Sequence, residues 1–434
     1  MTRSRGLGGT VKPLIVAARG KGVRNLVRRL GVIGSRYGIS PRRMDERLAD
    51  VHNIVEAYGG RATLPVTAAA GRRNPSVIAR FAALGIEFAV HGYTHVDHRE
   101  LSAEDQEQQL RRAREDLEAI GVRVKGFRAP YLRANDATIR AVRRTGLTYD
   151  SSQAFHWPID DEIQTEAYRR GLEFCSAVPA AEYPVVPWSE DGVVRIPCCL
   201  PDDEAIVDRL GLSPAVADEL WVSMLDAMAQ SGELFVLALH PERIETCRSG
   251  VLAVLEAAQR WRPKIWLARL EEVADWWRRR SDATVIVEEH DSRSLRVKVR
   301  GPDGVTILAR GINVEGQPWP DGYVRIQQAD FLVPAGPRPF LGVHPSSPPT
   351  LAAFLREQGY IVESTVAPGT HSHFLRRESF PRSHQRPLLR ELDHGDFPLV
   401  RLGRWPNGAR SALSITGDVD ALTIWDYAFR FLGR

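Results

Sequence analysis

Two pairs of residues stand out by type and spacing. Asp418 and Asp420 follow a short apolar run, 412–415, that breaks off at Thr416 and Gly417. A strand ending in D-x-D puts two carboxylates at its C-terminal rim, where one can bind a metal while the other stays free as a base. His91 and His95 follow another apolar run, IEFAV at 86–90. Spaced H-x-x-x-H within one turn, both rings can grip one ion. With one carboxylate they make a two-histidine, one-carboxylate site that leaves positions open for water and substrate. Taken singly, each pair is more often a solvated turn or a set of surface histidines.

Two further apolar runs end the same way. VRVKGF runs into Arg128, with Pro130 and Tyr131 behind it, and LFVLAL runs into His240-Pro241-Glu242. Arg128 at a proline corner places a guanidinium near the carboxylates; the alternative is a structural salt bridge. His240, fixed by the following proline, points into whatever the strand tops enclose, or is a hydrogen-bonded, half-buried histidine. Asp97 and His98, close to the histidine pair, support it or are merely solvated.

The elements that must position these groups alternate. A strand is expected at 12–18 and helices at 22–37 and 41–58, the second entered through Ser40 as cap and Pro41. Strands follow at 62–67, 86–90, 122–127, 147–149, 193–196, 234–239 and 265–267. Helices lie between them: from Asn74-Pro75 to Gly85, 103–120 behind a Ser102/Asp105 capping box, 136–145 capped by Asn135, 213–230, 249–261, and one ending at Arg278–Arg280. Such alternation argues for parallel β/α units, whose active sites collect at the C-terminal ends of strands. Periodicity alone does not choose between a barrel and an open sheet. From Thr284 to Val333 the pattern becomes that of a small antiparallel β unit, with turns at GPDG (301–304) and PDG (320–322). A βαβ fragment (339–343, 348–358, 360–366) follows. The stretch 367–408, rich in His, Arg and Pro, reads as irregular, and the D-x-D strand and an amphipathic helix close the chain.

With 434 residues, 43% of them hydrophobic and 26% charged, the chain is long enough for a large catalytic domain and smaller units. The formal charge of +4 does not imply nucleic-acid binding. Residues 1–50 carry 12 Lys and Arg against three acids, a face that could touch an anionic membrane surface but is more simply a solvated helix. Four cysteines without C-x-x-C spacing, and the want of a signal-like or membrane-spanning run, lead us to expect a cytoplasmic protein.

HGYTH, FRAPY, LALHPE and ITGDVD resemble the second, third, fifth and first motifs of the polysaccharide deacetylases, the NodB-homology group of carbohydrate esterase family four. The resemblance implies a distorted seven-stranded β/α barrel and hydrolysis of N- or O-acetyl groups on sugars with a divalent metal. Zn2+ is usual, with Co2+, Ni2+ or Fe2+ as alternatives. Carried over, His91, His95 and Asp420 are metal ligands, Asp418 is the base that activates water, and His240 is the acid for the leaving amine. Arg128 steers Asp418, and the backbone N–H of Tyr131 helps hold the oxyanion. The fourth motif stays open between Asp150-Ser151-Ser152, Trp157 and Asp202-Asp203-Glu204. Two departures stand out. The motif reads GDVD, with glycine where an aromatic is common, and it comes last rather than first.

The expected fold is therefore an α/β, (β/α)7-type barrel, circularly permuted, with an inserted β-rich and αβ unit. Residues 1–280 form the barrel without its first strand, 281–335 the antiparallel unit, 336–405 the βαβ fragment and linker, and 406–434 the completing strand and helix, in their own barrel or a partner's. The expected activity is removal of an acetyl or formyl group from an amino sugar, polysaccharide or glycolipid. An amidohydrolase on a non-sugar C–N bond, allantoinase-like, and a non-catalytic sugar-binding protein are the alternatives. The sugar, the native metal and the oligomeric state are not legible.

Overall fold

The computed structural model of the chain describes residues 36–429. The strand expected at 12–18, nearly all of the helix expected at 22–37, and most of the basic stretch 1–50 lie outside them. Ser411–Gly417 holds the centre of the largest sheet. It pairs in parallel with Leu234–Leu239 over six residue pairs, and at its start with Ile265–Leu267. Near its end it meets Thr63–Val66, through Thr63 opposite Thr416. The last strand in the sequence thus lies between two strands from the first 240 residues.

From Thr63–Val66 the parallel order continues through Glu87–Val90, Gly126–Phe127, Tyr149–Asp150 and Val193–Arg195. The chain then runs on from the last two into Ala154–His156 and Cys198–Leu200, which pair with each other. Cys199 in turn pairs with Leu237. The sheet therefore curls back toward Leu234–Leu239 in a mixed α/β fold. Strands buried on both faces need continuous apolar runs, and every residue of LFVLAL and SALSITG is buried.

Local signals place the helices. Ala103–Ala119 starts at Ser102, whose hydroxyl accepts the Asp105 N–H at 3.0 Å. Asp136–Arg144 starts in a capping box made by Asn135 and Thr138. Ser40, in contrast, caps nothing: Pro41 stands at the N-cap of Arg42–Ala57 and no side-chain bond is made there. A short helix, Ala68–Arg73, precedes Pro75–Ala83 and was not expected. No helix among the described residues is long and apolar enough to cross a membrane.

Beyond Ser281 the sequence reading needs two corrections. The antiparallel region is two sheets, not one: Thr284–Glu289, Ser294–Arg300 and Asp330–Pro334 form the first, and Gln317–Pro318, Tyr323–Ile326, Ile307–Arg310 and Leu399–Leu402 the second. GPDG is consequently a crossing between sheets, whereas PDG does turn a hairpin. The stretch 367–408 is not irregular. It holds the strand His371–Leu375, the helix Gln385–Asp393 and the strand Leu399–Leu402. Its apolar residues, Leu388, Leu389 and Leu392, pack on Leu351 and Phe354, so the order comes from tertiary contact. The region is tied to the large sheet by tryptophans: Trp276 Nε1 donates to Arg404 O at 2.8 Å, and Trp405 Nε1 to Gly232 O at 2.9 Å.

Candidate active site

His91 follows the buried strand Glu87–Val90, and its backbone N–H donates to Val66 O at 2.9 Å. Its ring Nδ1 lies 2.9 Å from Arg128 O. A carbonyl only accepts, so Nδ1 carries the hydrogen and Nε2 presents its lone pair. Gly92 then bends the loop at φ +78°, where a Cβ would come within 2.8 Å of Thr94 O, and His95 returns to the same spot.

Asp420 is delivered by the C-terminal strand. Asp418 N–H donates to Leu239 O (2.9 Å), Val419 N–H to Pro65 O (2.7 Å), and Thr67 Oγ1 to Asp420 O (3.0 Å). These bonds hold the strand end between its neighbours. Both His91 Nε2 and His95 Nε2 lie 3.3 Å from Asp420 Oδ1. Ligands about 2.0–2.2 Å from a tetrahedrally held ion sit about 3.3–3.6 Å apart. Two imidazole nitrogens and a carboxylate oxygen at this spacing fit a divalent cation.

Asp418, two residues earlier, faces another way. Its Oδ1 accepts from Arg128 Nη1 at 2.9 Å, and its Oδ2 is 3.9 Å from His91 Nε2. Arg128 is fully buried, and its remaining donors go to Thr416 Oγ1 (2.9 Å), Ser151 O (3.1 Å) and Ser151 Oγ (3.1 Å). Neither Thr416 nor Ser151 was distinguishable in sequence as the group that aims the arginine.

His240 stands across the cavity. Its Nδ1 bonds Asp203 Oδ1 at 2.7 Å, and its backbone N–H donates to Asp203 Oδ2 at 2.6 Å. Of the three open choices for its support, Asp203 makes this contact. Asp150 instead takes Arg195 and Ser152, and Ser151 and Ser152 serve Arg128 and Ala129 N–H. Burial alone would lower the His240 pKa, but the Asp203 charge and hydrogen bond, with Glu242 and Asp420 beyond, hold it well above the ordinary histidine value. Burial, then the charges of Asp203 and Glu204, push Asp202 up to about 7. Burial also raises Glu242, which accepts the Tyr37 hydroxyl at 3.0 Å.

Tyr131 sits in the left-handed region at φ +61°, 46% exposed, with its ring edge-on to His95 at 4.4 Å. The structure puts it on the cavity wall, beside the candidate ligands. Asp97 is occupied by Arg133 and the Arg99 N–H, and His98 is buried against Phe127 with its pKa pushed down to about 4, by burial first and then by His91. Neither joins the cluster. The cavity of about 470 Å³ also takes in Arg36, Tyr37, Tyr168, Arg209, Arg243 and Tyr427. No motif marked these, because they gather from five separate segments.

Residues 39–149 match the family model described as polysaccharide deacetylase. A peptidoglycan deacetylase-like protein of Gibberella zeae is 38% identical over 73 residues, 17% of this chain and 22% of that protein, so the chain matches about a fifth of that relative's length. Among solved structures, one described as a polysaccharide deacetylase from Mycobacterium smegmatis aligns over 61% of this chain and 85% of its own at 24% identity, with a TM-score of 0.43. One described as a pseudoenzyme of carbohydrate esterase family four from Bacillus anthracis aligns over 53% and 61% at 15% identity, with a TM-score of 0.33. The matched stretch 39–149 holds HGYTH and FRAPY, and is similar to the polysaccharide deacetylases; LALHPE and ITGDVD lie outside it.

Proposed function

We propose that this chain is a metal-dependent hydrolase that removes an acetyl or formyl group from an amino sugar, free or within a polysaccharide or glycolipid. One observation carries the reading: His91, His95 and Asp420 converge at 3.3 Å while Asp418 and His240 flank them across one cavity. A divalent cation such as Zn2+ held by those three residues would supply Lewis-acid polarisation of the acyl carbonyl and of a water molecule. Asp418, with one oxygen fixed by Arg128, presents the other to take the water proton. His240, kept charged by Asp203, gives a proton to the amine that leaves, which a poor leaving group requires. The backbone N–H of Tyr131 is our candidate for a donor to the developing oxyanion.

For the fold we propose a seven-stranded, distorted β/α barrel whose first strand has moved to the C-terminus by circular permutation, completed within one chain. The position of Ser411–Gly417 between Leu234–Leu239 and Thr63–Val66 supports this. Four buried cysteine thiols, none paired, favour a reducing compartment.

The test pairs metal analysis with acetate release from short N-acetylglucosamine oligomers, run beside a ureide panel. His91→Ala/His95→Ala protein should fold, lose bound metal and release no acetate. Full metal content and activity in that variant would remove the site from consideration. Turnover of ureides alone would move the substrate class away from sugars.

A further inference from the structure

A second cavity is larger than the one with the metal-ligand cluster. It measures about 830 Å³ and lies where the 307–402 region meets the large sheet. Gly232 and Glu233, just before Leu234–Leu239, and Ala409 and Arg410, just before Ser411–Gly417, form its floor. It is therefore at the N-terminal ends of the two strands whose other ends carry His240 and Asp418, about 20 Å away along strands that rise about 3.3 Å per residue.

Six arginines line it: Arg310, Arg386, Arg390, Arg401, Arg404 and Arg410. Four carboxylates face them, so the wall has two more positive than negative groups. Three arginines are matched, Arg386 to Glu233 (2.8 Å), Arg401 to Asp393 (3.1 Å) and Arg410 to Asp321 (2.7 Å). Among the described residues the other three have no carboxylate partner. Arg310 donates only to the Asp393 and Leu392 carbonyls (2.7 and 2.9 Å), and its Nε, buried, has no partner. Arg404 is 7% exposed, bonds only Gln358 Oε1 and the carbonyls of Ser231 and Gly232, and leaves a buried Nη2 unsatisfied. Arg390 is exposed and its side chain makes no hydrogen bond or ion pair among the described residues.

Burying like charges without counter-ions is costly. The strain shows at Arg404, whose pKa is pushed below the ordinary arginine value by burial and then by the charge of Arg401. A bound anion would relieve it, and guanidinium forks suit phosphate oxygens. The space is far larger than one phosphate fills, and Trp319 and Tyr323 supply an aromatic side to it. We propose that this cavity binds a phosphate-bearing small molecule, its phosphate on Arg310, Arg390 and Arg404 and any organic part against Trp319 and Tyr323. This site is separate from the proposed catalytic cavity and does not depend on the reading given to it.

Isothermal titration of the full chain with adenosine monophosphate, inorganic phosphate and adenosine tests the proposal. One saturable site is expected for the first two and none for adenosine. Tighter binding of the nucleotide assigns the site to phosphate monoesters, and equal binding assigns it to the free anion. Arg390→Ala should weaken binding about tenfold, the loss expected for one charge-assisted hydrogen bond, with its unliganded melting temperature unchanged. Arg310→Gln should weaken binding as well, with a lower melting temperature because two hydrogen bonds to carbonyls are lost. Should Arg310→Gln fail to fold, the exposed Arg390 still decides. No binding at millimolar phosphate or nucleotide, or equal affinity in wild type and Arg390→Ala, overturns the proposal, the latter placing the anion elsewhere, such as beside Arg209 and Arg243.

Discussion

Replacing Asp203 by Asn removes a charge from beside His240 while keeping an acceptor for the imidazole. In the folded chain the Asp203–His240 pair is buried, 2.7 Å apart, and it outweighs a burial effect of opposite sign. Two unit charges about 4 Å apart attract by about 4 kcal/mol at an effective dielectric of about 20. Asp202 offsets part of it. Its pKa is raised to about 7 partly by Asp203, so it ionises more readily once Asp203 is neutral and restores some negative charge. Without the Asp203 charge the His240 pKa should therefore fall back toward the ordinary histidine value. His240 must be protonated to act as an acid, so a raised pKa extends activity to higher pH. The variant's alkaline limb of kcat/KM should accordingly move to lower pH. In the pH range that the shift vacates, acetate release from N-acetylglucosamine oligomers should drop, by at most about two to four orders of magnitude, the usual size of general-acid catalysis. Hydrolysis of an activated aryl acetate, whose leaving group needs no proton, should fall much less. An unmoved alkaline limb with equal losses on both substrates would mean that Asp203 only braces the loop through the His240 N–H, and the acid role would fail.

Three other substitutions probe the same frame. Asp418→Asn should retain bound metal, measured by elemental analysis, yet lose about two to four orders of magnitude in kcat; loss of the metal instead would make Asp418 a ligand. Thr416→Val deletes an acceptor for Arg128 and a bond to Leu237 O (3.2 Å) in a buried strand. Urea unfolding should register about 1–3 kcal/mol, and kcat should fall because Arg128 is less well aimed; an unchanged kcat would show that Ser151 and Asp418 suffice. Glu87 is a buried carboxyl bonded to Thr63 and Tyr149 and pushed up to about 7 by burial and by Glu271. A folded-state pKa above the unfolded one favours the fold at low pH and loses that stability as pH rises from about 4.5 to about 7. The sum is about 3 kcal/mol at about 1.36 per unit, so Glu87→Gln should flatten the pH–stability curve there; a parallel curve in the variant would count against it.

The sequence already held the strand ends. IEFAV, LFVLAL and SALSIT announce themselves because strands buried on both faces must be apolar throughout, so the first polar residues after them fall on the rim. The metal-ligand candidates, Asp418, Arg128 and His240 were all legible on that ground, and the structure gathers them. Asp203 was one of three choices, since its pairing with His240 spans 37 residues and depends on how Cys198–Leu200 lies beside Leu234–Leu239. The helix Gln385–Asp393 was missed because Pro387 sits near its start and no cap residue opens it. The strand His371–Leu375 was missed because its polar residues break the alternation. In both, packing outvotes local preference. The short helix Ala68–Arg73 lies in a stretch, TAAAGRR, too brief for a periodic signal.

What the sequence could not supply is register, and the site depends on it. A one-residue slip of Ser411–Gly417 would turn Asp418 and Asp420 to the opposite face. The apolar pattern offers little protection, because both faces of this strand are buried and either phase would satisfy it. Polar pins do the work instead. Ser411 Oγ donates to Glu233 O at the strand's start and Thr416 Oγ1 to Leu237 O near its end. Arg128 then clasps Thr416 and Asp418 together, so it recognises residues two apart on one face. In the register so fixed, Gly417 lies opposite Leu239, which sets Asp418 beside His240. The buried arginine that aims the proposed base therefore also selects the strand alignment that brings the proposed metal ligand Asp420 to His91 and His95, whatever the order in which the chain supplies its strands.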